Sequence, residues 1–101
     1  MFVSGQIAID PATGQFMSGS VAEQTKQVFK NLAAVLEAAG SSLDKIVKTT
    51  VFLQDMKDFS DMNEVYATFF SDAPPARATV AAAGLPRDAL VEIEAVALLS
   101  E

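Results

Sequence analysis

The chain has 101 residues, 50% hydrophobic and 20% charged, which is the profile of a globular, not a disordered, chain and of one domain with no room for a second. Thirteen acidic residues against seven basic give a net charge of −6, and the few cations are scattered, so a phosphate backbone would be repelled. Cys and His are both absent, which excludes a disulfide framework, a thiolate or imidazole metal centre, a cysteine nucleophile and a Ser-His-Asp triad.

No apolar run approaches the ~18 residues of a membrane span. The N-terminus lacks the basic and then apolar pattern of a signal peptide, so the expected location is the cytoplasm. A mean hydropathy of +0.29 in so small a domain implies apolar surface left over for subunit contacts.

The chain opens with Phe2 to Ile9, where Val3, Gly5, Ile7 and Ile9 alternate as one face of a strand. Asp10-Pro11-Ala12-Thr13-Gly14 has turn chemistry, and a short extended return through Gln15 to Met17 is expected after it. Ser20-Val21-Ala22-Glu23 is a capping box. Beyond it, Val28, Leu32, Val35, Leu36 and Ala39 form a helical stripe that Gly40 closes.

Ile46 to Leu53 is rich in β-branched residues and reads as a strand. Asp58 or Ser60 can cap a second helix, with Phe59, Met62, Val65, Tyr66, Phe69 and Phe70 at the spacing of a buried face. Pro74-Pro75 ends it and forces an extended entry into a strand over Ala76–Ala82. A turn at Gly84-Leu85-Pro86 leads to a last strand from Leu90 to Leu99. The order β-β-α-β-α-β-β predicts an α+β fold, a single mixed sheet with two helices packed on one face.

Arg77 follows the rigid Pro-Pro entry inside a predicted strand, where its planar fork of donors can meet a carboxylate. The same residue can instead snorkel at a sheet edge or pair with a structural Glu. Glu92 and Glu94, two apart in the last strand, share a face and lie roughly 7 Å apart. Val91, Ile93, Ala95 and Ala97 form the opposite, apolar face assigned to the helices. The carboxylate face is either solvated or lines a polar site, and Leu90, Val96 and Leu98 beside it favour a covering partner. Ser4-Gly5 can approach a ligand with its backbone, although Gly in a strand is more often a bulge. Asn63 can cap or face solvent. Tyr66 reads as core or helix-edge packing, and Thr49-Thr50 as ordinary strand residues.

Taken together and in order, these segments resemble the RidA/YjgF family of imine and enamine deaminases. The resemblance runs from Phe2-Val3-Ser4-Gly5-Gln6-Ile7 and Asp10 to Gly14, through Asn31-Leu32 and Glu37 to Gly40, into Ile46 to Leu53 and Met62 to Tyr66. Pro75-Ala76-Arg77 followed by Val91-Glu92-Ile93-Glu94-Ala95 is its most specific part. It implies a chorismate-mutase-like domain spanning residues 1–101 that assembles as a homotrimer with ligand clefts between subunits. It also implies hydrolysis of 2-imino acids to 2-keto acids and ammonium, for which no cofactor and no metal are required; charge and hydropathy argue against a nucleic-acid or membrane partner.

On that resemblance the catalytic pair is Arg77, which grips the substrate carboxylate, and Glu92, which orients the attacking water. Ser4, Gly5, Asn63, Ala78 and Thr79 join them as substrate-binding positions. Family members carry a further strand and a Gly-Pro-Tyr segment upstream, whereas here Met1 directly precedes Phe2. Either the sequence is truncated, the start lies internally, or the strand is absent, and its loss would expose a sheet edge and strip one wall from the cleft. After Arg77 this chain reads Ala78-Thr79-Val80-Ala81, where many relatives have Ser first and Glu fourth. The resemblance leaves open a non-catalytic trimer that binds 2-keto acids. A translation inhibitor acting on RNA is a third reading, which the acidic composition opposes.

Overall fold

The computed structural model describes residues 1–99. The β-branched segment forms strand β2 at Ile46–Leu53, the boundaries expected from its sequence. Around it lie β1 (Phe2–Gln6), β3 (Ala76–Ala81) and β4 (Val91–Ala97), in the spatial order β1-β4-β2-β3. β4 is antiparallel to both β1 and β2, whereas β3 runs parallel to β2. A parallel pair needs a crossover, and helix α2 (Phe59–Thr68) provides it.

Helix α1 (Val21–Ala38) starts on the expected capping box: the Ser20 hydroxyl accepts from the Glu23 amide at 3.1 Å, and the Glu23 carboxylate from the Ser20 amide at 3.2 Å. Gly40 ends it with φ of 81°, a conformation that Gly adopts without the strain a Cβ would add. Its buried stripe runs through Val21, Thr25, Val28, Phe29, Leu32 and Leu36. Val35 and Ala39, expected on that stripe, are exposed; Phe29 lies inward in their stead. Burying a side chain such as Phe29 or Leu32 is worth roughly 1.5–3 kcal/mol.

Both helices cover one face of the sheet. Val91, Ile93, Ala95 and Ala97 point into it and are buried with Val51 and Leu53, as expected. The other face carries no helix. Phe52 and Val96 are half-buried there, Val80 is 47% exposed, and Phe2 at the edge is 86% exposed.

Three expectations are corrected. The return strand at Gln15–Met17 is a single bridge between Ile9 and Phe16. The chain bulges between Val3 and Gln6 and leaves the sheet. Asn31 of α1 then holds it by donating to Ile7 O at 3.3 Å and Ile9 O at 2.9 Å, so the hairpin packs on the helix and adds no strand. α2 stops at Thr68, ahead of Pro74, because Phe69 and Phe70 turn in to pack on Phe29, with centroids 4.5 Å and 5.7 Å away. Finally, β3 and β4 are shorter at their ends than the apolar runs suggested.

Candidate active site

Arg77 and Glu92 lie in different parts of the molecule. Arg77 is on β3, the edge strand, in register with Thr49 of β2. Its side chain lies on the helix-covered face, half-buried against α2. There Nη1 donates to Asn63 Oδ1 at 2.7 Å, and the guanidinium carbon sits 4.6 Å from the Tyr66 ring centroid and 5.4 Å from that of Phe59. Phe59, Asn63 and Tyr66 are spaced four and three apart, so they form one stripe of α2 that meets the guanidinium. No carboxylate pairs with it: among the described residues the ion pair seen is Lys57–Asp55, at 3.9 Å on the surface.

Tyr66 is fixed from below. Its hydroxyl shares a buried 2.7 Å hydrogen bond with Thr49 Oγ1, and its ring meets Phe29 and Phe70 at centroid distances of 5.4 Å and 4.9 Å. Burial pushes the Tyr66 phenol above its ordinary 10.0, against the Thr49 hydrogen bond and the Arg77 charge, which both pull it down. Thr79, two residues beyond Arg77 and so on the same face, buries an Oγ1 that has no partner. Ala78 between them is exposed on the opposite face, in register with Thr50.

Glu92 lies on β4, opposite Phe52 of β2, on the face without helices. It packs against Gly5 of β1 so closely that an alanine Cβ there would overlap its Oε2 and fall 2.8 Å from its Cδ. The strand bulge between Val3 and Gln6 includes Ser4 and Gly5. Thus the bulge reading of Gly5 holds, and its close neighbour in this chain is the Glu92 side chain. Ser4 is exposed beside it. Glu94 and Ser4 line an open depression of about 370 Å³ with Phe2, Lys48, Thr50 and Val96, and neither Arg77 nor Glu92 lines it.

One chain therefore gathers Ser4, Gly5 and Glu92 on one side and Arg77, Asn63 and Thr79 on the other. β2 separates the two groups, and they use opposite faces. Sequence reasoning missed Tyr66, Phe59 and Thr49 as neighbours of Arg77, because aromatics at core spacing and threonines in a strand need no special account. The available signal was Asn63, a polar residue set between two aromatics on one helical stripe. No group of His, Cys, Asp or Glu able to hold a metal occurs among the described residues, and no helix there is long and apolar enough to cross a membrane.

Comparison with known proteins finds relatives that share this fold. Residues 1–99 match the family model described as Endoribonuclease L-PSP. A RutC family protein of Pyrococcus horikoshii is 53% identical over 97 residues, 96% of this chain and 77% of that protein. The mouse protein named 2-iminobutanoate/2-iminopropanoate deaminase is 49% identical over 98 residues, 97% of this chain and 73% of its own length. The crystal structure of the YjgF gene product of E. coli superposes with a TM-score of 0.90 at 44% identity, covering 96% of this chain and 78% of that one.

Proposed function

The chain belongs to the RidA/YjgF family, and we propose that it is a hydrolytic deaminase that converts 2-imino acids to 2-keto acids and ammonium. The observation that carries this reading is the half-buried Arg77 guanidinium, which spends one N–H on a neutral amide and, among the described residues, pairs with no carboxylate. A guanidinium offers five donors in a fork that matches a carboxylate. The remaining donors suit the 1-carboxylate of a 2-imino acid.

The chemistry needs little more. The C=N carbon is electrophilic and already hydrolyses in water, so orienting the acid and placing one water supplies most of what a catalyst can add. Glu92 would accept a hydrogen bond from that water and take its proton as oxygen bonds to the imine carbon. Glu92 returns that proton to the nitrogen. The hydroxyl proton of the resulting tetrahedral carbon follows it as the C–N bond breaks, so that ammonia leaves and the C=O of the 2-keto acid forms. Ammonia takes up a proton from water to become ammonium. Neither step calls for a metal or an organic cofactor.

The halves meet only if two copies contribute. Arg77 is on the β3 edge and Glu92 lies toward the β1 edge, so a head-to-tail contact between copies would bring them into one cleft. Such contacts close into rings, and the family resemblance suggests a ring of three. The uncovered face with Phe52, Val80 and Val96 would lie within it. The acidic composition gives an RNA substrate no comparable support.

The test is trapping with semicarbazide of imine generated by an amino-acid oxidase, read against the uncatalysed rate, alongside light scattering. Acceleration by a trimer, lost in Glu92→Gln while pyruvate still binds, is the expected result. Glu94→Gln should slow turnover less. Pyruvate binding with no acceleration by the wild type would favour the non-catalytic trimer. A stable monomer near 10.7 kDa would remove the shared cleft.

A further inference from the structure

Among the described residues, the partners of Arg77 share one property: none is charged. Asn63 gives an amide oxygen at 2.7 Å, Tyr66 a π face at 4.6 Å and Phe59 a second at 5.4 Å. This is unusual economy in a chain with 13 acidic residues, one of which, Glu64, directly follows Asn63 in α2 and is exposed. An acidic side chain at position 63 would take the guanidinium as an ion pair. The amide holds the same N–H and leaves the charge in place.

Resting on the assignment of Arg77 as carboxylate anchor, we propose that Asn63 and Tyr66 are positioning residues that form a charge-neutral clamp and reserve the Arg77 charge for the substrate. Asn63 fixes Nη1, so the rotation of the fork is set. The Tyr66 ring sets its plane, and that ring is itself locked by Thr49, Phe29 and Phe70. Asn63 thus acts through Arg77, in contrast to its sequence-based reading as a direct substrate contact.

Asn63→Asp separates this role from a merely structural one. Asn63 is the fifth residue of α2, half-buried, where an acidic side chain is compatible with a helix near its start. The variant should gain an ion pair with Arg77 and keep or raise its unfolding temperature. Its Kd for pyruvate, measured by calorimetry, should nevertheless rise about tenfold or more, since the anion must displace a bound carboxylate. Turnover at saturating imine should fall less than kcat/KM. A structural role would move stability and affinity in the same direction.

Tyr66→Leu removes the platform and is the second arm; it too should weaken pyruvate about tenfold. Arg77→Ala serves as the reference. If Arg77→Ala binds pyruvate like the wild type, the anchor assignment itself fails. If Arg77→Ala loses binding while Asn63→Asp and Tyr66→Leu retain wild-type affinity, the clamp is wrong and the anchor stands. Should Asn63→Asp not fold, the outcome for Tyr66→Leu decides alone.

Discussion

Gly5→Ala is the sharpest perturbation of the Glu92 half of the site, because it adds one methyl group where the carboxylate now lies. An ideal Cβ would fall 2.8 Å from Glu92 Cδ and 3.0 Å from its Cγ, and would overlap Oε2. Carbon atoms rest about 3.5–4.0 Å apart, so the carboxyl group must retreat by ~1 Å. Gly5 is not among the positive-φ residues, so alanine adopts its backbone without strain and the cost falls on Glu92 alone. An off-rotamer glutamate costs roughly 0.5–1.5 kcal/mol, small enough for the fold to persist. A displacement of that size at a reacting group lowers rates by about 10²-fold. Gly5→Ala should therefore unfold in urea close to wild type, bind pyruvate normally and lose about two orders of magnitude in imine hydrolysis. Wild-type hydrolysis in this variant would refute both the close packing and the role given to Glu92.

Two further outcomes follow from the Arg77 side. Arg77→Lys should lose about tenfold or more in pyruvate affinity by calorimetry despite keeping its charge, because an ammonium cannot form two parallel hydrogen bonds or stack between Phe59 and Tyr66. The raised pKa of Tyr66 means that the unfolded chain releases this proton first as pH rises. The stability it contributes is complete below pH 10.0 and declines as pH climbs through the folded-state value. Urea unfolding at about pH 9 and pH 11 should show a steeper loss in wild type than in Tyr66→Phe.

Much of the fold was legible because local signals agreed with one another. The capping box, the Gly40 stop and the β-branched run at Ile46–Leu53 each have one strong structural solution, and the alternation in β4 assigns its faces. The bulge at Ser4-Gly5 was not legible beyond a possibility, since it depends on what β4 presents from the far end of the chain. The hairpin at Ile9–Phe16 likewise depends on Asn31 of α1, a partner that turn chemistry alone does not name. For the site, residue types alone left Arg77 and Glu92 open, and their proposed roles came from the family resemblance; neither residue type nor periodicity gave their positions on the sheet. Strand order is a tertiary property, and only that order puts Arg77 beyond β2 from Glu92. The partners of Arg77 were hidden for a different reason: Phe59 and Tyr66 satisfy core periodicity and cation stacking at once.

The pairing of β1 with β4 also governs when the molecule can mature. Phe2 and Val3 find their strand partners at Val96 and Ala95, far along the chain, so β1 waits for β4 during synthesis. The β2-α2-β3 crossover can form meanwhile, but β2 too lacks its antiparallel neighbour until β4 arrives. Such distant pairing carries a large loop-closure penalty and slows folding relative to a helical domain of equal size. During that interval β1, which bears Phe2, lacks its β4 partner, and β2 is an apolar strand with an open edge, the kind of surface that chaperones hold and that aggregates capture. The Gly5–Glu92 contact belongs to this final closure. Newly made chains would pass through a state with Arg77 already seated on α2 and the Glu92 half still unmade.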